Sequence, residues 1–303
     1  MHPTSAIRGM LLPLPTVFDE AAELDEAVQR ELVRFYVDKG VHALFILGSY
    51  GQGPAMRIDQ RKRAAEVVVE EVHGRIPVVV HIGAVDPYTS IELGLHARAA
   101  GADAVGMVGP YYYNDRTPTE LLMHFQMVDQ AVQLPLFIYN NPGYQGYAID
   151  PPFMQQLVAA VPRIFGAKLA MGTIESALKY RELLPDFSLF ALASGIYPGM
   201  KLGITGTVSP PLTLAPELGV DLVRAIDEGR DADAERLQGV VSEVNALLLR
   251  LWKQYGRTPY YLGLRALGFA VKKYPRWPTA PLPDEEYQPL MALLERARGV
   301  VPA

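Results

Sequence analysis

The chain has 303 residues, of which 50% are hydrophobic and 20% charged, a balance typical of a globular protein. Its 28 basic and 33 acidic residues give a formal net charge of −5 without any basic tract, so we expect no nucleic-acid partner, and the lack of cysteine excludes disulfides, thiolate catalysis and cysteine-bound metals. No apolar stretch approaches the ~20 residues of a membrane-spanning helix and the N-terminus has no signal-peptide pattern, so we expect no membrane association and a cytoplasmic location.

From the N-terminus onward, short β-rich runs alternate with longer helical patterns. The first run is weakened as a strand by two prolines, whereas the run at 77–83 is apolar at nearly every residue. Strands covered on both faces have this composition, which predicts parallel strands beneath helices. The strands are predicted at 10–18, 42–48, 77–83, 104–109, 135–140, 164–169, 187–194 and 206–209. The helices that follow them are predicted at 25–39, 58–72, 86–100, 118–132, 151–160, 173–183, 198–203 and 215–229.

Eight such units predict an α/β fold, a closed (β/α)8 TIM barrel, over residues 1–229. An open doubly wound sheet is the main alternative. After residue 229 the alternation stops, and helical patterns follow at 231–254, 258–271 and 284–298. Residues 230–303 are therefore predicted to form a C-terminal helical subdomain packed on the barrel. In such barrels the active site lies at the C-terminal ends of the strands, which makes the polar side chains there the candidates for function.

Lys168 differs from the other seven lysines of the chain because it alone lies in an apolar strand, 164–169. Burial of an ammonium group is costly, and the cost is relieved by a partner or by loss of the proton. An unprotonated lysine amine is a nucleophile toward carbonyl carbons. A lysine at a strand end with its head in water is the structural alternative.

Tyrosines are frequent, and three in succession, Tyr111–Tyr113, follow the fourth strand while Tyr139 lies in the fifth. Aromatic packing over the barrel mouth accounts for at least one of them. A hydrogen-bonded phenol can also transfer protons as a general acid or base. Ser49 lies in a glycine-rich turn, 48–53, whose backbone N–H groups can approach an anion such as a substrate carboxylate.

Metal and cofactor chemistry finds little support in the sequence. The six histidines are not paired at ligand spacing with one another, so we expect no metal. His81 lies at a strand end and is interpreted as a histidine satisfied within the core. No phosphate-binding loop or dinucleotide fingerprint is present, so we expect no cofactor.

These residues occur together in an order that resembles the dihydrodipicolinate synthase and N-acetylneuraminate lyase family. The resemblance extends over nearly the whole chain. It is carried by Pro15–Phe18 with Leu24-Asp25, Gly48–Gln52, Pro110–Tyr112, Tyr139–Pro142, Gly166–Lys168, Ser194-Gly195 and Gly206–Ser209.

The resemblance implies a Schiff base between Lys168 and the ketone of a small 2-oxo acid such as pyruvate. It implies proton transfer by Tyr139, a hydroxyl relay at Ser49, and a tyrosine, Tyr112, that enters the site of a neighbouring subunit. A homotetramer built as a dimer of dimers follows from the same likeness. The residues expected to bind substrate are Gly48, Ser49, Tyr50, Tyr144, Gly195 and Val208.

The sequence departs from the family pattern in three segments. Tyr50 replaces a small hydroxyl residue in the glycine turn and Gln52 replaces an acid. Tyr144 stands where dihydrodipicolinate synthases carry the arginine that meets the carboxylate of the aldehyde substrate, and a phenol does not replace a bidentate guanidinium. Ile196-Tyr197 follow Gly195 where an acid is usual.

These departures favour a lyase, aldolase or dehydratase that acts on a 2-oxo acid outside lysine biosynthesis, with a less anionic, aromatic or polyhydroxylated second substrate. Two alternatives stay open. One is a 4-hydroxy-tetrahydrodipicolinate synthase, and the other is a barrel that binds a small molecule without turnover.

Overall fold

A computed structural model describes residues 7–170, 172–191 and 193–300. Within these ranges eight parallel strands form a closed barrel in chain order, because the last strand pairs with the first. This closure confirms the predicted (β/α)8 fold over the open doubly wound sheet. The strands are β1 (Gly9–Pro13), β2 (Ala43–Ile46), β3 (Val78–His81), β4 (Ala104–Val108), β5 (Leu136–Asn140), β6 (Ile164–Leu169), β7 (Ser188–Ala191) and β8 (Gly206–Thr207).

Helices surround the barrel, and several begin at a capping residue that the sequence supplies. Asp25 accepts a hydrogen bond from the Val28 N–H, and Thr117 forms a capping box with Glu120. The helices are α1 (Glu26–Asp38), α2 (Ile58–Val72), α3 (Pro87–Ala99), α4 (Pro118–Val132), α5 (Pro142–Gln145), α6 (Pro151–Ala160), α7 (Ile174–Leu183), α8 (Ile196–Lys201), α9 (Pro216–Asp227), α10 (Asp231–Tyr255), α11 (Thr258–Ala266) and α12 (Asp284–Gly299).

Some predicted boundaries are wrong. The first strand ends at Pro13 instead of continuing to residue 18, and Pro15, which has no N–H group to donate, follows two residues later. The helix predicted at 258–271 ends at Ala266 because Gly268 takes up a left-handed conformation, with φ +97°. The short helix α5 lies in a segment where no helix was predicted.

The last strands are also shorter than predicted. Strand β7 ends at Ala191 and β8 at Thr207, and each is followed by a 3-10 turn, at 193–195 and 210–213. The predicted helix 198–203 begins two residues earlier, at Ile196. These shifts shorten the strands without changing their order in the barrel.

Inward-pointing side chains fill the barrel beneath its C-terminal opening. Phe45, Phe137 and Phe190 are almost completely buried and pack edge-to-face around Phe137. Tyr139 lies next to Phe45 in the same cluster. The barrel is therefore a solid core, with room for chemistry at the ends of the strands only.

The C-terminal helices form the predicted appendage on the barrel. Helix α10 packs against α8 and α9, and α12 packs against α9, α10 and α11. Between α10 and α11 the chain turns at Gly256, whose φ of +61° and ψ of −129° suit glycine alone. The division of the chain at residues 229 and 230 stays a prediction. In the described ranges, no helix combines the length and apolar composition needed to cross a membrane.

Candidate active site

Lys168 and Tyr139 face each other on adjacent strands. The register of β5 and β6 places them directly opposite one another, so both side chains point to the same side of the sheet. The Lys168 Nζ lies 4.4 Å from the centroid of the Tyr139 ring. Both residues are buried, at 7% and 3% exposure. The amine predicted to act as nucleophile thus lies inside the barrel mouth, beside the phenol predicted to transfer protons.

The Tyr139 hydroxyl is held by two further side chains. It lies 3.0 Å from the Ser49 Oγ and accepts a hydrogen bond of 2.9 Å from the Asn141 side-chain amide. Burial favours the neutral phenol, but the positive charge of Lys168 and the hydrogen bonds from Ser49 and Asn141 outweigh it and lower the pKa of Tyr139. Such a phenol gives up its proton more readily than an ordinary tyrosine.

Asn141 lies within the motif that carried the family resemblance, but its role was not predicted from the sequence. Its side chain caps α5 through the Gly143 N–H while its amide group bonds to Tyr139. The short helix and the orientation of the phenol therefore depend on one residue.

The glycine turn presents three consecutive N–H groups. Across the described residues, the backbone N–H groups of Ser49, Tyr50 and Gly51 donate to no protein carbonyl or side chain. A Cβ atom on Gly51 would lie 2.9 Å from the Leu14 carbonyl oxygen. Because the turn lines the same chamber as Lys168, its N–H groups can bind the carboxylate of a substrate attached there.

Arg257 holds this turn from outside and was not predicted from the sequence. Its guanidinium donates to the carbonyl oxygens of Ser49 at 2.8 Å and Tyr50 at 3.0 Å, and to the Tyr274 hydroxyl at 3.1 Å. It is 7% exposed and stacks 5.1 Å from the Trp277 ring. Among the described residues no carboxylate pairs with it. Burial lowers the pKa of Arg257, but the nearby tyrosines, Tyr274 foremost, together outweigh it and raise the pKa above its ordinary value.

Tyr50 and Gln52, which depart from the family pattern, stabilise the glycine turn through contacts outside it. The Tyr50 hydroxyl lies 2.9 Å from the Thr213 Oγ1, and its ring packs edge-to-face on Tyr260 and Tyr274. Burial raises the pKa of Tyr50 well above its ordinary value, so the phenol is neutral. The Gln52 side chain accepts from the Arg276 N–H at 2.8 Å. Both residues tie the turn to the C-terminal segment.

An inner chamber of about 140 Å³ surrounds Lys168. It brings together most of the residues predicted to act or to bind substrate, and Arg257, Trp252 and Tyr260 join them from the C-terminal segment. The predicted residues that line it are Gly48, Ser49, Tyr50, Tyr139, Tyr144, Lys168 and Val208.

Two predicted residues lie elsewhere. Gly195 lines a neighbouring pocket with Thr173 and Ser194, and it is absent from the lining of the Lys168 chamber. Tyr112 is 80% exposed and packs edge-to-face on Tyr113. Substrate binding by Gly195 and a catalytic role of Tyr112 stay predictions.

An outer chamber of about 410 Å³ adjoins the inner one and shares with it Ser49, Tyr139, Tyr144, Trp252 and Arg257. His81 lies in its wall, 1% exposed, with the Val108 N–H donating to its Nε2 and Arg61 against its Nδ1. Burial and the charge of Arg61 lower the pKa of His81 well below its ordinary value. It is thus a neutral histidine bonded within the core, as the sequence indicated.

Comparison with known proteins agrees with this geometry. A family model for the dihydrodipicolinate synthetase family matches residues 6–297. The chain belongs to this family. The resemblance inferred from the sequence is thereby confirmed. As a member of this family the protein is an enzyme, of the lyase and aldolase class.

Similar proteins differ in the reactions that their names describe. A probable 2-dehydro-3-deoxy-D-pentonate aldolase of Escherichia coli K12 is 31% identical over 97% of this chain and 98% of its own. A 4-hydroxy-tetrahydrodipicolinate synthase of Methanopyrus kandleri is 30% identical over 98% of each chain. The solved structure of YagE, a prophage protein of the same family from E. coli K12 in complex with pyruvate, superposes with a TM-score of 0.89 at 24% identity, over 96% of this chain and 99% of that one.

Proposed function

We propose that this family member forms a Schiff base between Lys168 and pyruvate or a similarly small 2-oxo acid, and makes or breaks the carbon–carbon or carbon–oxygen bond beside it. The observation that carries the proposal is the inner chamber, where a buried amine, a polarised phenol and three unpaired N–H groups meet. The carboxylate would accept hydrogen bonds from the turn, with the ketone carbon beside Lys168.

The chemistry follows from this placement. The Lys168 amine attacks the ketone carbon, and the ketone oxygen leaves as water with protons passed through Tyr139 and Ser49. The imine so formed withdraws electrons, so a proton can leave the adjacent carbon to give an enamine. That carbon then attacks an aldehyde to form a carbon–carbon bond; in the reverse direction the same bond breaks, which regenerates the enamine on Lys168 and releases the aldehyde. No metal or cofactor enters this scheme, and their absence stays a prediction.

Trapping with borohydride tests the proposal. The protein is incubated with pyruvate, reduced, digested and analysed by peptide mass spectrometry. We expect a pyruvyl adduct on Lys168 that is lost in Lys168→Ala and retained in Lys179→Ala, a substitution of an exposed lysine on α7. An unmodified Lys168 with pyruvate and with longer 2-oxo acids would contradict the covalent mechanism and favour a barrel that binds without turnover.

A 4-hydroxy-tetrahydrodipicolinate synthase is the second candidate, because the M. kandleri relative aligns over nearly the whole chain. The phenol of Tyr144 stands at the position expected to carry the carboxylate-binding arginine, and we therefore place this candidate second. Rapid turnover of aspartate 4-semialdehyde with pyruvate would reverse the order.

We also propose that the protein assembles as a homotetramer in which Tyr112 completes the site of a neighbouring subunit. The support is a tyrosine that is 80% exposed although its φ of +74° is strained for a side chain of this size. A cytoplasmic location stays a prediction.

Complementation between subunits tests the role of Tyr112. Tyr112→Ala and Lys168→Ala should each be nearly inactive. Mixed oligomers should regain activity, because a subunit with Lys168 would receive Tyr112 from its neighbour. If the mixture stays inactive although co-purification of differently tagged subunits shows that mixed oligomers form, Tyr112 is not donated between subunits.

A further inference from the structure

The outer chamber has an aromatic wall that the catalytic chemistry at Lys168 does not require. Trp252 on α10 and Trp277 beyond α11 are the only two tryptophans of the chain, and both line it. Each is 42% exposed, and Tyr111 and Tyr144 line the same space. Large apolar rings left open to solvent in a concave site are typical of a ligand-binding surface.

Three polar side chains of the outer chamber are already engaged within the protein. Gln52 bonds to the Arg276 N–H and the Thr16 carbonyl, His81 accepts from the Val108 N–H, and Ser49 bonds to Tyr139. A polyhydroxylated ligand needs several available donors and acceptors, since each buried hydroxyl without a partner is costly. The chamber thus favours a ring over a polyol.

The charges in the two chambers disfavour a cationic ligand and suit an aromatic one. Neither chamber has an aspartate or glutamate in its lining, whereas Lys168 and Arg257 are both present. Arg61, whose charge interacts with Tyr111, is 4% exposed, and within the described ranges no ion pair is found for it; burial lowers its pKa to about 10. The faces of aromatic rings are attracted to such cations.

The outer chamber opens directly onto the reacting atoms. Tyr139 and Ser49 belong to both chambers, so a group bound against the tryptophans can place a carbonyl carbon beside the enamine on Lys168. A cavity of about 410 Å³ lies within the range of small-molecule sites, roughly 300–1,000 Å³. The inner chamber, of about 140 Å³, is left for the 2-oxo acid.

We propose that the second substrate is an aromatic aldehyde, bound against Trp252 and Trp277. This inference rests on the proposed Schiff base. The enamine carbon on Lys168 forms a bond to the aldehyde carbon while the aldehyde oxygen takes a proton from Tyr139. Hydrolysis of the imine then frees the lysine and releases a 4-aryl-4-hydroxy-2-oxo acid, from which loss of water gives the arylidene 2-oxo acid. The same steps in reverse cleave that product into the aldehyde and pyruvate.

A panel of aldehydes tests the inference on the unmodified enzyme. Pyruvate is supplied with benzaldehyde, 2-carboxybenzaldehyde, glycolaldehyde or succinic semialdehyde, and products are identified by mass spectrometry. We expect kcat/KM for the two aromatic aldehydes to exceed that for the two aliphatic ones by about tenfold or more. A faster reaction with glycolaldehyde or succinic semialdehyde would overturn the inference.

Substitutions locate the selectivity. Trp277→Ala and Trp252→Ala should each reduce the aromatic preference by about tenfold, and Trp252→Phe should restore most of it because a ring remains. Leu249→Ala is the matched control, since Leu249 is 41% exposed on the same helix α10 and lines neither chamber. An aromatic preference that survives both alanine substitutions would contradict the assigned wall.

Borohydride trapping of pyruvate separates the two proposals. If Lys168 carries the adduct but aliphatic aldehydes react better, the aromatic assignment fails and the proposed function stands. If Lys168 is not modified and no aldehyde reacts, both fail.

Discussion

Arg257 is a buried guanidinium that donates hydrogen bonds to two carbonyls of the glycine turn and to a tyrosine hydroxyl. In a trans peptide unit the C=O and the next N–H point in opposite directions, so a cation on the Ser49 and Tyr50 carbonyls turns the following N–H groups toward the inner chamber. It also increases their polarity as donors. Arg257 is therefore interpreted as a positioning residue for the 2-oxo acid, without contact to the reacting carbon.

Replacement of Arg257 should act mainly on the binding of the 2-oxo acid. Hydrogen bonds to a charged group contribute about 1.5–3 kcal/mol each, so we expect Arg257→Met to raise KM for pyruvate by about 10- to 100-fold. Arg257→Lys keeps the charge but not the paired N–H donors of the guanidinium, and it should raise KM for pyruvate less. Steady-state kinetics give KM and kcat separately, and kcat should change less than KM.

Arg250→Lys is the control for this prediction, because Arg250 is exposed on α10, pairs with Glu286 and lines neither chamber. A fall in kcat with an unchanged KM in Arg257→Met would contradict the positioning role.

At the level of elements, the turn at 48–53 depends on close backbone approach at Gly53. A Cβ atom there would meet the Leu47 carbonyl oxygen and carbon, which are backbone atoms that cannot rotate away. Gly53→Ala should therefore displace the turn, lower the free energy of unfolding by about 1–3 kcal/mol, and reduce pyruvate trapping at Lys168. Urea unfolding and the borohydride assay measure the two effects.

Gly239→Ala offers a control of opposite sign. Gly239 is exposed in the middle of α10, and a Cβ atom there meets nothing within 4 Å. Because alanine favours the helix, this substitution should stabilise the protein by about 0.5–1 kcal/mol. A stabilising effect of Gly53→Ala would show that the turn tolerates a side chain.

Elements also differ in how far the sequence predicts them. Lys168 was predicted at the barrel mouth because its apolar strand and its place near the end of that strand are local features. Arg257, Trp252 and Trp277 were missed because their patterns are those of ordinary helices and loops. They reach the site only through the turn at Gly256 and the packing of α10 on the barrel, and Arg257 bonds to residues more than 200 positions away in the chain.

For the molecule as a whole, the barrel supplies the residues proposed to act in catalysis, and the C-terminal appendage supplies much of the wall around them. Lys168, Tyr139 and Ser49 come from strand ends or the loops after them, whereas Arg257 and both tryptophans come from residues after 229. Substitutions in the appendage can therefore change the walls of both chambers without altering Lys168, Tyr139 or Ser49.

The pH dependence of stability is a property of the whole fold to which one buried histidine contributes strongly. His124 on α4 is 3% exposed, and no hydrogen-bond partner lies near either ring nitrogen in the described part of the chain. Burial, followed by the charge of Arg116, lowers the pKa of His124 to about 4, and Asp86 opposes this only in part. Below the ordinary histidine value near 6.5, the unfolded chain therefore binds a proton that the folded protein does not.

The contribution of His124 to the free energy of unfolding should consequently be fully present above about pH 6.5 and be lost as the pH falls toward about 4. This contribution is at most roughly 3 kcal/mol. His124→Phe removes the titrating group and two unpaired polar atoms, so the free energy of unfolding should decline less steeply over this interval. Urea unfolding at several pH values measures the slope. His73→Asn, at an exposed helix end with φ +50°, is the control, because asparagine accepts this conformation. Equal slopes in wild type and His124→Phe would mean that other groups cause the loss of stability at acid pH. Removal of a neutral buried histidine must otherwise make the free energy of unfolding depend less steeply on pH.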